Sequence, residues 1–302
     1  MGSQIIQLVR ALSGPVLLEE QTLIKLAQIF RRKLNGEAFD GSALHAELGM
    51  AGPAGRGGAE KQTTIAVIPI YGLIAQHPQS LGASTVEIGR KLDAALASRS
   101  VDAILLDVDS PGGAVGGVPE LGAKIAAARA VKPITALANG LMASAAYWLG
   151  SQADEVVVTP SGEVGSIGVY MLHEDWSQNL AQEGVKIRGI SAGKYKLEGA
   201  PWEPLDPEAE AFMQQRVDEV YGWFVKAVAS GRKDSQANVR GGYGEGRVLG
   251  GIQSVKANLA DRVATYEETV GRLAARVQRR GPSAAALDRK LALDLASRKV
   301  SS

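Results

Sequence analysis

The feature that most restricts what this chain can become is an alternation that starts at Thr63. Short apolar runs at Thr64–Ile70, Asp102–Val108, Ile134–Ala138 and Glu155–Thr159 are separated by helix-like stretches near 84–98, 117–130 and 142–152. Apolar runs of strand length, with helical covers between them, predict βαβ units and a mainly parallel sheet buried on both faces. Two further runs, Ile167–Met171 and Lys186–Ile190, read as additional strands around another helix. A long amphipathic helix is expected from Asp206 as N-cap and Pro207 at the first helical position. Its stripe of Phe212, Val217, Val220, Tyr221, Phe224 and Val228 reads as core or subunit interface.

The flanks differ in character. Residues 1–49 carry apolar positions at helical spacing (Ile5, Leu8, Leu12, then Leu23, Leu26, Ile29 and Phe30) and are expected to form a small helical segment. Residues 50–62 are rich in Gly, Ala and Pro without periodicity, as flexible linkers are. The main domain is then expected at 63–265, and 266–302 reads as a polar, net-basic helical tail, solvated, with docking on a partner protein as the less favoured alternative. The opening "MGSQIIQLVRALSGPVLL" is broken by Arg10 and Pro15 and followed by Glu19 and Glu20, which suits neither a signal peptide nor a membrane span. Ile6 occupies the position where a myristoylation signal needs Ser or Thr. The expectation is a soluble, unexported, cytoplasmic protein.

Composition removes several classes of function. Lys plus Arg number 33 against 32 Asp plus Glu, so no global field attracts nucleic acid or an anionic membrane. With no cysteine there is no thiolate nucleophile, disulfide framework or Cys-based metal site. The three histidines, His45, His77 and His173, lack metal-ligand spacing, and no metal or cofactor is expected.

Chemistry is expected where parallel strands end. Two loops fall there: "DVDSPGGAVGG" after Val108 and "ANGLMAS" after Ala138. Gly112 and Gly113 permit a sharp turn with outward amides, suited to an oxyanion hole or a phosphate cradle. The Walker ending and the Rossmann glycine spacing are absent from both loops, which demotes phosphate binding. Ser144 opens an alanine-rich helix, although serine is only a middling helix former. As a nucleophile it needs a base. No histidine stands beside a strand-end loop, whereas Lys194 and Lys196 lie in the Gly-flanked "SAGKYK". A free lysine titrates near ~10.4, so either would have to be desolvated to act near neutrality; the residues alone leave both open.

Taken together, "DSPGG", "ANGLMASAAYWLGSQADEVVVTPSGEVGSIGV" and "SAGKYK" resemble the signal-peptide-peptidase-A family of Ser-Lys serine peptidases, and especially its phage prohead or capsid maturation branch, over roughly Thr63 to Thr265. The resemblance implies an α/β fold like the Clp protease and crotonase spiral of βαβ units. It implies Ser144 as nucleophile, Lys196 as general base, Lys194 as a surface or orienting residue, and Ser166 as a hydroxyl that hydrogen-bonds the lysine. A hydroxyl suits a neutral buried amine because it adds no charge. The amides of Ala145 and Gly113 are then the natural oxyanion donors. The resemblance also implies that substrate adds as a strand between the backbone near Ile167–Met171 (Ile167, Gly168 and Val169) on one side and Gly112 with the loop after Gly113 on the other, with Val115, Leu141 and Met142 forming an S1 pocket.

The implied function is a serine endopeptidase that processes scaffold, portal or capsid proteins in the host cytoplasm, inside the assembling prohead. It would work as a homo-oligomer, without cofactor, metal, nucleic acid or membrane partner. The alternatives are a soluble cytoplasmic peptidase of the signal-peptide-peptidase kind and, in another class, a crotonase-like acyl-CoA enzyme, which shares the oxyanion geometry but needs no serine beside it. An idle assembly scaffold would lack Ser144 or Lys196, and both are present.

Overall fold

Near-continuous burial along the apolar runs builds the sheet that carries everything else. The computed structural model describes residues 16–18, 63–78 and 82–280. Strand β1 is Val16–Leu18, β2 is Ile65–Tyr71, β3 Leu73–Ala75 and β4 Gly82–Ser84. Helix α1 (Thr85–Ala97) starts where the Ser84 hydroxyl accepts the Glu87 amide at 3.3 Å, an N-cap that satisfies one orphan donor. β5 (Ala103–Ser110), β6 (Gly112–Ala114), α2 (Val118–Ala128), β7 (Ile134–Ala143), α3 (Ala145–Gly150), β8 (Glu155–Val158) and β9 (Glu163–Gly165) follow.

β2, β5, β7 and β8 pair in parallel, as the βαβ rhythm predicts. β7 is long enough to hold two neighbours on one edge: Thr135–Ala138 pair with β8, and Leu141–Ala143 pair with β9. A smaller sheet runs β1-β6-β3-β4, parallel except for β1.

The pleat divides the core in two. Ile104, Leu106, Ala136, Ala138, Val156 and Val158 face α1, α2, α3 and the second half of the long helix Pro207–Arg232. Leu105, Leu137 and Val157, one residue out of phase, meet the C-terminal helix. Both faces are therefore covered.

The carboxyl-terminal half departs from expectation in instructive ways. Ile167–Met171 and Lys186–Ile190 are not strands; only Tyr170 makes an isolated bridge, and α4 (Ser177–Gln182) lies between them. Strand pairing is taken four residues earlier, by β9, whose outer edge carries β10 (Val248–Gly250) in antiparallel register. Helix α5, Pro207–Arg232, begins as expected, with the Asp206 carboxylate accepting the Ala209 amide at 2.9 Å. Its stripe splits: Val220, Phe224 and Val228 are buried, whereas Phe212 stays 52% exposed. α6 (Gln236–Gly242), α7 (Gly251–Lys256), β11 (Arg262–Val263) and α8 (Tyr266–Arg280) complete the described chain.

Over Tyr266–Arg280, α8 departs from the solvated tail expected there. Thr269 and Leu273 are buried against the sheet, and Arg276 approaches Asp154 at 3.7 Å. Spaced apolar residues (Val270, Leu273, Val277) form a narrow stripe that the many charges around it conceal in sequence. The expected linker 50–62 and the residues after 280 lie outside the described residues. Of the expected amino-terminal helices, only Val16–Leu18 are described, and they form a strand after Pro15, whose ring fixes φ and favours extended or turn backbone.

Candidate active site

Ser144 is the hinge between β7 and α3. Its backbone takes φ 54° and ψ −119°, a conformation that side chains adopt only at a cost of about 1–3 kcal/mol. The neighbours enforce it. Its amide donates to the Gly165 carbonyl at 2.8 Å, its carbonyl accepts the Trp148 amide at 2.9 Å, and Ala143 pairs with Gly165 in the β7–β9 ladder.

Beneath the turn, α3 is wholly buried. Tyr147 donates its hydroxyl to the Leu259 carbonyl at 2.8 Å, and Trp148 stacks on Phe224 with centroids 4.9 Å apart. A methyl on Gly150 would come within 2.2 Å of the Met142 sulfur, and one on Gly231 within 2.2 Å of the Ser151 carbonyl oxygen, so α3 is clamped between β7 and α5. The serine hydroxyl itself is buried and has no hydrogen-bond partner. A strained strand-to-helix turn that fixes an unengaged serine oxygen is the arrangement of a nucleophile elbow.

The donors expected for an oxyanion are near. Ala145 is the first residue of α3, so its amide has no acceptor within the helix. β6, with Gly112 and Gly113, packs against α3. Gly113 is required by closeness, because a methyl there would lie 2.0 Å from the Ile74 carbonyl oxygen of β3. Gly112, at φ 99°, donates its amide to the Ser110 hydroxyl, which in turn donates to the Gly72 carbonyl at 2.6 Å.

Asp109 holds the facing loop by accepting the Leu141 amide at 3.0 Å. Burial pushes its carboxyl upward; the Leu141 bond opposes this and nearby Asp107 adds to it. Ser110 and Asp109 are contributions that the sequence reading missed, since "DSPGG" was valued for its glycines. The available signal was two short polar residues at the end of a continuously buried strand.

The lysine side is arranged differently. Ser166 lies beside the elbow, 8% exposed, at φ 55°, with its amide bonded to the Arg247 carbonyl at 2.8 Å. Lys196 is exposed, in the segment between α4 and α5, and makes no hydrogen bond to the Ser144 hydroxyl. Lys194 is held by Glu208 at 2.9 Å and by the Tyr195 hydroxyl at 2.9 Å; these bonds, Tyr195 first, raise its pKa and keep it protonated. Of the residues expected to contact substrate, Met142 and Ile167 are buried in the core, whereas Val115, Leu141, Gly168 and Val169 are half-buried. Among the described residues no cluster of His, Cys, Asp or Glu could hold a metal ion, and no helix is long and apolar enough to cross a membrane.

Comparison with known proteins decides the family. Residues 126–280 match the model of Peptidase family S49. The chain belongs to Peptidase family S49. Similar curated proteins include the capsid assembly protease C of Escherichia phage lambda, 30% identical over 78% of this chain and 56% of that protein. The head-tail preconnector protein GP5 of Enterobacteria phage P21 is 34% identical over 70% of this chain and 42% of its own length. Protease 4 of Salmonella typhi is 32% identical over 74% of this chain and 35% of that protein. The chain thus spans about half or less of these relatives. Among solved structures, a mutant ClpP1 from Listeria monocytogenes aligns with TM-score 0.43 and 13% identity, covering 68% of this chain and 94% of that one.

Proposed function

We propose that this S49 chain is a serine endopeptidase in which Ser144 attacks the peptide carbonyl and Lys196, as the neutral amine, takes its proton. The observation that carries the reading is the buried, unpartnered Ser144 hydroxyl on a strained β7–α3 turn. The Gly113 and Ala145 amides stabilise the developing oxyanion, the amine product leaves with the proton returned by Lys196, and water then releases the acyl group from Ser144 by the same route in reverse. Ser166 orients the Lys196 amine. The phage relatives point to capsid, portal or scaffold proteins as substrates, acted on in the host cytoplasm during head maturation.

Lys196 must move inward for this chemistry. Its segment carries Trp176, Val185, Ile187, Ile190 and Leu197, all exposed, with Ile190 at 92%. That much apolar surface on one segment is what a second copy of the chain would bury, and burial there would both close the segment over Ser144 and desolvate the lysine.

The test is hydrolysis of a quenched peptide library by the full chain and its variants from pH 5 to 10. Ser144→Ala and Lys196→Ala should each lower kcat/KM by at least ~10³-fold, with the double variant no worse, because the two act as one unit. Lys194→Ala should be mild. The parent profile should still rise above neutrality, since a lysine base works only when deprotonated. A profile flat from pH 6.5 upward, or an essential Lys194 with a dispensable Lys196, would overturn the assignment of the base.

A further inference from the structure

The small sheet contains a strand from outside the peptidase body. β1, Val16–Leu18, pairs antiparallel with β6, with Val16 opposite Ala114, Leu17 opposite Gly113 and Leu18 opposite Gly112. β6 has only two edges, and the other is taken by β3, where Ile74 pairs with Gly113. β1 is the end strand of its sheet, so it lies on the one edge of β6 at which an extended peptide could add. That edge belongs to the strand whose Gly113 amide is assigned to the oxyanion, and β6 packs against the helix that Ser144 opens.

We infer that residues 16–18 are a built-in occupant of the substrate edge, docked in cis as a substrate-like strand that an incoming polypeptide must displace. Three observations favour the chain's own segment over an accidental pairing. Its sequence, Val-Leu-Leu between Pro15 and Glu19, is a short apolar stretch bounded by a residue that cannot donate to a ladder and by charge, so the pairing has defined ends. It pairs in unbroken register through all three residues of β6, the glycine pair included. Residues 19–62 supply a connection that extends beyond ~100 Å, ample to reach β6 from the start of β2 in the same chain.

Tethering makes the strand a local competitor at an effective concentration on the order of millimolar, yet leaves it exchangeable, because three residues of ladder are a weak hold. The consequence is selectivity: short or weakly extended peptides lose to the tethered strand, whereas a long substrate with several pairing residues wins. The inference rests on the proposed use of β6 for substrate, and its tests separate the two.

The docking itself is read without catalysis. The chain has no cysteine, so Val16→Cys with Ala114→Cys introduces a lone pair at directly opposed positions, whose Cα separation in an antiparallel ladder suits a disulfide. Mild oxidation of the full chain should close it within one chain at every protein concentration. Failure to close, or closure only between two chains, overturns docking in cis.

Occupancy of the peptide edge is then read by fluorescence polarisation of a labelled peptide with the sequence of residues 13–21. Leu17→Pro takes a backbone N–H away from the tethered strand and fixes its φ, and should tighten binding of that peptide roughly tenfold over the parent. The oxidised cysteine pair should abolish binding, and reductant should restore it. Equal binding to the parent, the proline variant and the locked form would show that β1 does not occupy the peptide edge. If peptide binds and is displaced as stated but no variant hydrolyses anything, the proposed chemistry fails while the docking stands.

Discussion

The Ser144 turn and the segment from Tyr170 to Leu205 hold the two halves of the proposed dyad, and they are built in opposite ways. The turn is surrounded by its own chain: α3 has no exposed residue, the Trp148–Phe224 stack and Tyr147 anchor it, and Gly150 and Gly231 allow backbone to lie against it. The segment carrying Lys196 has no buried residue and exposes a series of large apolar side chains. Its inward bonds are few; Lys194 and Tyr195 reach Glu208 on the first half of α5, where Ala209 alone is buried. In the proposed reading, intrachain packing preorganises Ser144 and leaves Lys196 to be seated by a further contact.

The largest effect should come from breaking that further contact. Ile190→Asp places a charge on the most exposed apolar side chain of the segment and should reduce a self-associated chain to monomer, with loss of peptide hydrolysis by at least ~100-fold. Sedimentation velocity beside the activity assay checks this. A parent that stays monomeric at high micromolar concentration while hydrolysing peptide at full rate would show that no second copy is needed.

Stability should respond in the reverse order. Phe224→Ala removes one ring of the stack beneath α3 and should cost about 3–5 kcal/mol in urea unfolding. Trp176→Ala, on the exposed segment, should stay within about 0.5 kcal/mol in the monomeric Ile190→Asp background. Comparable losses would erase the contrast between the two regions.

A smaller effect belongs to the end of α5. Hydrogen bonds from Asn238, Ser235, Asn258 and Tyr243 pull the Asp234 carboxyl down to about 2 from its ordinary 3.8. Because the folded value is depressed, the stabilisation is present above the ordinary value and is lost as pH falls through about 2. Tm measured from pH 5 to 2 should thus drop more in the parent than in Asp234→Ala, the two curves converging at the acid end.

Legibility followed the source of each feature. The parallel sheet, α1, α2, the Asp206–Pro207 helix start and the position of Ser144 rest on local pattern, and the sequence carries them. α8 was hidden because a narrow stripe of Val270, Leu273 and Val277 suffices for a helix that meets only one sheet face. The run Ile167–Met171 reads as a strand but forms none, because β10 and the Arg247 carbonyl already take the bonds of β9 and Ser166, and Lys186–Ile190 lies in an exposed segment where no strand pairs with it. β1 could not be foreseen, because its pairing with β6 depends on residues nearly a hundred positions away.

The central claim, that Lys196 activates Ser144, is tested most directly by a serine-directed fluorophosphonate probe followed by peptide mapping. The account predicts modification at Ser144 alone, at a rate at least ~100-fold lower in Lys196→Ala and undiminished in Lys194→Ala. Modification at another serine, or an equal rate in the parent and Lys196→Ala, would contradict it.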